Sequence, residues 1–210
     1  MIIETRFSSL ENAIRLLKLF SVDEPELGVT EIAGRLGVVK STAHRLLISL
    51  ASEGLVIQDP KTNLYRLGVS FLAFNHVIFR RLAFLQGASD ILKKLVQLTK
   101  ETASVAAMEN HHVFLVQIEE SDYPVRFSTY IGRKEPACRS SAGLAILSHQ
   151  PEQSVVSAME KGLLQDTNLR SDEFLRKLSQ IRTQGYAVTV DEIHKGVTSI
   201  AAPIKNSKNT

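Results

Sequence analysis

Apolar residues along the first part of the chain recur at helical spacing and stop at punctuation. Leu10, Ile14, Leu17 and Phe20 recur at helical spacing behind Ser8-Ser9-Leu10-Glu11, a capping box, so a helix is predicted with Arg15 and Lys18 facing out. Asp23-Glu24-Pro25-Glu26 ends it as a loop. A short second helix is expected from the N-cap Thr30 to Gly37. A third is expected over 40–53, closed by Gly54 as a C′ glycine. The segments 55–58 and 64–67, around the turn cluster 59–63, predict a β-hairpin. Over 68–85 the chain is apolar on two faces, with Phe71, Phe74, Ile78, Leu82 and Leu85 on one and Val69, Leu72, Phe79 and Ala83 on the other. A helix this apolar needs cover on most sides, and a second subunit is the natural candidate. Beyond Gln86 the texture mixes helices (89–100, 141–148, 152–161, and 171–185 with Ser171 as N-cap) and strands (103–108, 113–118, 125–131, 186–190, 197–200). Asn110-His111 is the expected first turn. That mixture predicts an α+β domain. There is no internal repeat, and the polar tail 205–210 is expected to fray.

The 210 residues are 44% hydrophobic and 22% charged, ordinary globular usage that excludes a disordered or collagen-like chain. One cysteine, Cys138, can form neither an internal disulfide nor a multi-thiolate zinc site, and points to a reducing, cytoplasmic compartment. The first residues lack the basic region and apolar core of a signal peptide. The most apolar stretch, 67–85, is interrupted by Asn75, His76, Arg80 and Arg81 and is no membrane span. A net charge of +3 permits nucleic-acid binding without arguing for it, so placement of the charges decides.

That placement singles out the second and third helices. With Val29 as the first position of a helix-turn-helix, Ile32 is apolar and Ala33 small where the helices cross. Gly37 falls in the turn, and Ala43 and Leu46 face inward. Ile32, Leu36, Val38, Leu46, Leu47 and Leu50 hold the unit together. Lys40, Ser41, Thr42, His44 and Arg45 are left outside, the donors and hydroxyls that a recognition helix offers to base edges and phosphates. From Ile32 to Ser52 there is no Asp or Glu, while Arg35, Lys40 and Arg45 are present, which suits a surface facing a polyanion. Lys61 and Arg66 on the hairpin would touch adjacent backbone as a wing. A structural three-helix domain with a merely solvated polar face would explain any one of these residues, but not the set.

The run Leu36-Gly37-Val38-Val39-Lys40-Ser41-Thr42-Ala43-His44-Arg45-Leu46-Leu47, then Glu53-Gly54-Leu55-Val56 and Tyr65-Arg66-Leu67-Gly68, closely resembles the winged helix of the IclR family of bacterial transcriptional regulators. The resemblance continues through Leu98-Thr99-Lys100-Glu101-Thr102, Arg126, Gly132-Arg133, Ser140-Ser141-Ala142-Gly143-Leu144-Ala145 and Gly185-Tyr186-Ala187-Val188. It ends at Gly196-Val197-Thr198-Ser199-Ile200-Ala201-Ala202-Pro203. It implies a winged helix-turn-helix over 1–67, a linker and dimerisation helix over 68–85, and a GAF-like effector-binding domain over 86–210. The partners it implies are double-stranded operator DNA, a small effector and a second copy of the chain, with a dimer of dimers as a further assembly. Met108, Asp191 and Ser199 stand where pocket-lining residues fall in relatives. The chain departs from the family at Val39, where many members have Pro or Ser, and at Arg139, Leu144 and Ser199. Members usually run on past the Ile-Ala-Ala-Pro segment with a further strand pair and a helix. An incomplete C-terminal domain is therefore expected, its missing strand leaving an open edge.

Ser140, Ser141 and Gly143 at a helix start offer hydroxyls and amides to a carboxylate effector, with an empty N-cap as the plain alternative. Asp191-Glu192-Ile193-His194 reads as a solvated turn rather than a metal site, and His111-His112 as an exposed hairpin turn. Cys138 has no base beside it in the sequence, so no catalytic residue, metal or cofactor is expected. The reading is a regulator, a repressor before an activator. A regulator that binds DNA without sensing, or an enzyme on the C-terminal domain, are the rivals.

Overall fold

The structure is a computed structural model that describes residues 7–82, 85, 87–164 and 169–205. It divides into two compact units, 1–83 and 84–210. Among the described residues no helix is long and apolar enough to cross a membrane.

Unit 1 holds α1 (Ser9–Leu17), β1 (Glu26–Leu27), α2 (Val29–Leu36), α3 (Lys40–Ser52), β2 (Val56–Gln58), β3 (Tyr65–Leu67) and α4 (Phe71–Arg81). The capping box closes α1 as expected: Glu11 N–H donates to Ser8 Oγ (3.2 Å) and Ser8 N–H to the Glu11 carboxylate (2.7 Å). Only part of the expected inward row faces in: Leu17 and Phe20 pack against the core. Leu10 and Ile14 are exposed, while Leu16 is fully buried and Asn12 nearly so. Two apolar rows run along this helix, and the core takes the Ala13–Leu16–Leu17 row. α2 starts at Val29 after the N-cap Gly28 rather than at Thr30. Gly37 takes φ 70°, the left-handed conformation the tight α2–α3 turn needs, and Val38 N–H closes on Ala33 O (3.0 Å). The hairpin is a three-stranded antiparallel sheet in the order β1-β3-β2, with Leu27 opposite Tyr65 and Val56 opposite Leu67. Leu16, Leu27, Ile32, Ala43, Leu47, Val56 and Tyr65 form one core between helices and sheet.

The long apolar helix is shorter than its pattern. α4 ends at Arg81 with Leu82 as C-cap, and Leu85 lies outside it; Ala83, on the second predicted face, is outside the described residues. Gly68 N–H on Leu55 O (2.8 Å) and Ser70 Oγ on Gly54 O (2.6 Å) pin its approach to the base of the wing.

Unit 2 holds α5 (Ala88–Thr99), β4 (Ala103–Glu109), β5 (His112–Glu119), β6 (Lys134–Pro136), α6 (Ser141–Leu147), α7 (Glu152–Glu160), α8 (Ser171–Gln184), β7 (Ala187–Val190) and β8 (Thr198–Ala201). β4 and β5 pair antiparallel across Asn110-His111, both at positive φ (49° and 63°), as a two-residue turn requires. The segment 125–131 is not a strand. It carries β-branched and aromatic residues but pairs with nothing in register, and Lys134–Pro136 joins β5 instead. Arg170, not Ser171, is the N-cap of α8. The strands form two separate sheets, β4-β5-β6 and β7-β8. α6 packs against both, and its Leu144 is fully buried with Phe174, Ala187 and Val113 in one core.

Candidate nucleic-acid interface

α3 is amphipathic, with Ile48 as its exposed apolar exception. Ala43, Leu46, Leu47 and Leu50 face the core, and Lys40, Ser41, His44 and Arg45 are exposed, with Thr42 half-buried beside them. Between Ile32 and Ser52 no carboxylate interrupts that surface. Four acids of unit 1 gather elsewhere: Asp23, Glu24, Glu26 and Glu31 line an open recess before and along α2. Arg35, part of the acid-free window, is drawn into that group. Its guanidinium donates to the Glu24 carboxylate (2.7 and 2.5 Å) and to Glu31. The hydrogen bond with Arg35 holds the Glu24 carboxyl below the ordinary carboxylate range, and the same bond raises the Arg35 guanidinium further. Arg35 is thus committed within the protein, and the cationic surface reduces to α3.

The wing is shaped by Asp59. Its carboxylate accepts from Lys61 N–H (2.7 Å) and Thr62 N–H (3.0 Å), which lowers its pKa and sets the turn. Lys61 is exposed at that turn. Arg66 stands opposite Glu26 in the strand register and lines the acidic recess, and its charge also reaches Asp59 at the base of the turn.

In unit 2 the residues expected around an effector are brought together in part. Ser140 caps α6, its Oγ accepting Gly143 N–H (3.1 Å), so that amide is already used. Ser141 Oγ and Ser199 Oγ are 2.6 Å apart, joining α6 to β8. Met108 is half-buried against the core. Asp191 is turned to its own loop, its Oδ1 accepting Gly196 N–H (2.6 Å). The 191–194 segment is not the solvated turn expected of it. Arg139 donates to Glu192 O and faces the Glu192 carboxylate at 3.7 Å, while Arg133 donates to His194 Nε2 and lies over Phe127. The Arg139 Nε is buried without a hydrogen-bond partner. These arginines stand 53 and 61 positions from their partners, so no local pattern could have announced the pairs. Among the described residues no group of His, Cys, Asp and Glu is arranged to hold a metal.

Two family models match the chain. The IclR helix-turn-helix domain covers residues 9–60, and the C-terminal domain of bacterial IclR transcriptional regulators covers 76–210. The transcriptional regulator XynR of Escherichia coli K12 is 30% identical over 207 residues, covering 96% of this chain and 81% of that protein. The crystal structure of an IclR transcriptional regulator from Alicyclobacillus acidocaldarius superposes with TM-score 0.77 at 27% identity, over 97% of this chain and 84% of that one. An IclR homologue from Microbacterium hydrocarbonoxydans, solved with 4-hydroxybenzoate, has the same fold (TM-score 0.77, 23% identity, 95% and 84% covered).

Proposed function

Since the chain belongs to the IclR family of bacterial transcriptional regulators, we propose that it is a dimeric, cytoplasmic repressor whose hold on operator DNA responds to a small organic acid. Residues 1–67 bind DNA, 68–85 pair the subunits, and 86–210 sense. The observation that carries this is the outward face of α3: exposed Lys40, Ser41, His44 and Arg45 on a helix with no acid in its first turn. With Thr42 they read base edges and phosphates in the major groove, while Lys61 grips backbone from the wing and Arg66 adds a weaker contact. Occupying the operator suffices to exclude other proteins from it, so repression needs no surface beyond the one described.

The effector reading rests on Arg139, whose only carboxylate neighbour among the described residues is Glu192. An organic acid competes with Glu192 for that guanidinium, beside Ser140, Ser141, Gly143 and Ser199, with Met108 and Asp191 further out. The 4-hydroxybenzoate bound by a protein of the same fold supports a carboxylate. A footprint on the DNA upstream of its own gene, followed by binding titrations, tests the reading. Arg45→Ala should cost about 1–3 kcal/mol on the protected site. Lys61→Ala should weaken binding to all sequences and reduce the salt slope by about one. If both variants bind like the wild type, the DNA-facing surface lies elsewhere. If binding is intact and no organic acid alters it, the chain binds DNA without sensing.

A further inference from the structure

α3 begins against two local rules. The residue at a helix N-cap is normally Ser, Thr, Asp or Asn, whose side chain satisfies an orphan amide, and acidic residues favour the first turn. Val39 has the N-cap backbone conformation (φ −68°, ψ 149°) but offers no side-chain bond, and the first turn holds no acid. Ser8 on α1 and Ser140 on α6 do cap by side chain, whereas Gly28, Ser70, Gly87 and Pro151 begin helices without such a bond, so what sets α3 apart is the exposed apolar side chain at its start. Nor is Val39 recruited by the core. Its neighbour Val38 packs against the core, whereas Val39 is 68% exposed.

A β-branched side chain is stiff at χ1, so its two methyl groups point in one fixed direction at little entropic cost on contact. They do so at the N-terminal end of the recognition helix, the end that approaches base edges, next to Lys40 and Ser41. An exposed, rigid apolar side chain at this end of α3 is placed to meet an apolar group in the groove. In the major groove the bases present donors, acceptors and a single kind of apolar group, the C5 methyl of thymine. We propose that Val39 is a specificity residue that packs on a thymine methyl in each half-site. The proposal rests on the DNA-binding reading above. Lys40, Ser41 and Arg45 read other positions of the half-site; the aliphatic contact supplies the preference for thymine at this one. Removing one methyl from such a contact is worth about four-fold in affinity.

The test is selection from a random duplex library with the full-length wild type, Val39→Ser and Val39→Gly, the last lacking a side chain yet tolerated at an N-cap. The wild type should enrich a motif with a thymine whose preference both variants lose while keeping the other positions. Replacing that thymine by deoxyuridine should weaken wild-type binding about four-fold and leave the variants unchanged. Val39→Ser should also melt a few °C higher, because its hydroxyl caps an amide of the first turn. Identical motifs for all three proteins, no effect of deoxyuridine at any thymine of the motif, or a lower melting point for Val39→Ser would each overturn the proposal while leaving DNA binding intact. A wild type that enriches no sequence overturns the DNA-binding reading with it.

Discussion

A methyl group added at Gly143 should destabilise unit 2 more than any other single-carbon change described here. Gly143 is buried in α6, and a Cβ built on it falls 2.2 Å from the carbonyl oxygen of Ala137, 2.3 Å from its Cα and 2.6 Å from its carbonyl carbon. Carbon contacts become favourable at about 3.5 Å, so the helix and the segment after β6 must separate by roughly 1 Å. Both sides of the clash are backbone, and no side chain can rotate away. Overpacking typically costs about 1–3 kcal/mol, and a clash against backbone belongs at the upper end. For a unit of this size, about 3 kcal/mol lowers the unfolding midpoint by roughly 12 °C or more. The same displacement strains the 2.6 Å Ser141–Ser199 bond that ties α6 to β8, so effector response should fall even below the melting point. Gly34→Ala is the matched control: it lies exposed in α2 with nothing within 4 Å of the new Cβ. Relieving a helical glycine stabilises by about 0.5–1 kcal/mol, a rise of a few °C. Scanning calorimetry of both variants gives opposite signs if the argument holds. A Gly143→Ala protein as stable as the wild type would refute the close approach of α6 to the Ala137 backbone.

Three further expectations follow from the same geometry. Ile78→Glu, on the exposed face of α4, should convert a dimer to monomers with weak operator affinity; light scattering at micromolar concentration decides it, and a monodisperse wild-type monomer refutes it. The Asp59 carboxyl, held below its ordinary value by the Thr62 and Lys61 amides, stabilises the wing above the ordinary aspartate range. That contribution is lost as pH falls through the depressed folded value, so a carboxyl that titrates in NMR at or above the ordinary value contradicts the turn. Thermal shift against a panel of organic acids should reveal binding by the wild type that Ser140→Ala diminishes; a tight neutral apolar effector, indifferent to that change, would refute the anion reading.

What was legible in the sequence was local. The Ser8–Glu11 box, the left-handed Gly37, and the Asn110-His111 turn each encode their geometry within a few residues, and each is present. The inward face of α3 was nearly as plain, because all its apolar residues but the exposed Ile48 lie on one side. α1 was legible in part: Leu17 and Phe20 pack inward as expected, but only the rest of the core decides between Leu10–Ile14 and Ala13–Leu16. The segment 125–131 has strand-forming residues, but a strand exists only with a partner in register, which composition does not supply. β1 is two residues long and is created by Tyr65 and Arg66 across from it. The charges divide similarly. That α3 is free of acid is visible in the sequence, whereas the capture of Arg35 by Glu24, 11 residues earlier, and of the 191–194 loop by Arg133 and Arg139, depends on the folded chain.

α4 shows how far this dependence reaches. It has 11 residues and no buried side chain among those described, and Leu72, Phe74, Val77 and Ile78 are all more than half exposed. A helix of that length is marginal in water, where nucleation is costly and helical order comes from packing one face. Only its first turn is fastened to unit 1, through Ser70 and Gly68. Phe71 and Phe74 lean on each other with centroids 6.0 Å apart, which buries little. On the proposed dimer a second copy supplies the surface that orders α4, and burying four such side chains is worth several kcal/mol. If that dimer forms, ordering this helix and pairing two subunits are one event, whose midpoint depends on protein concentration. Operator DNA with two half-sites holds two copies together and so favours the same event. Circular dichroism should accordingly show helix content that rises with concentration in the wild type and stays at the low value in Ile78→Glu.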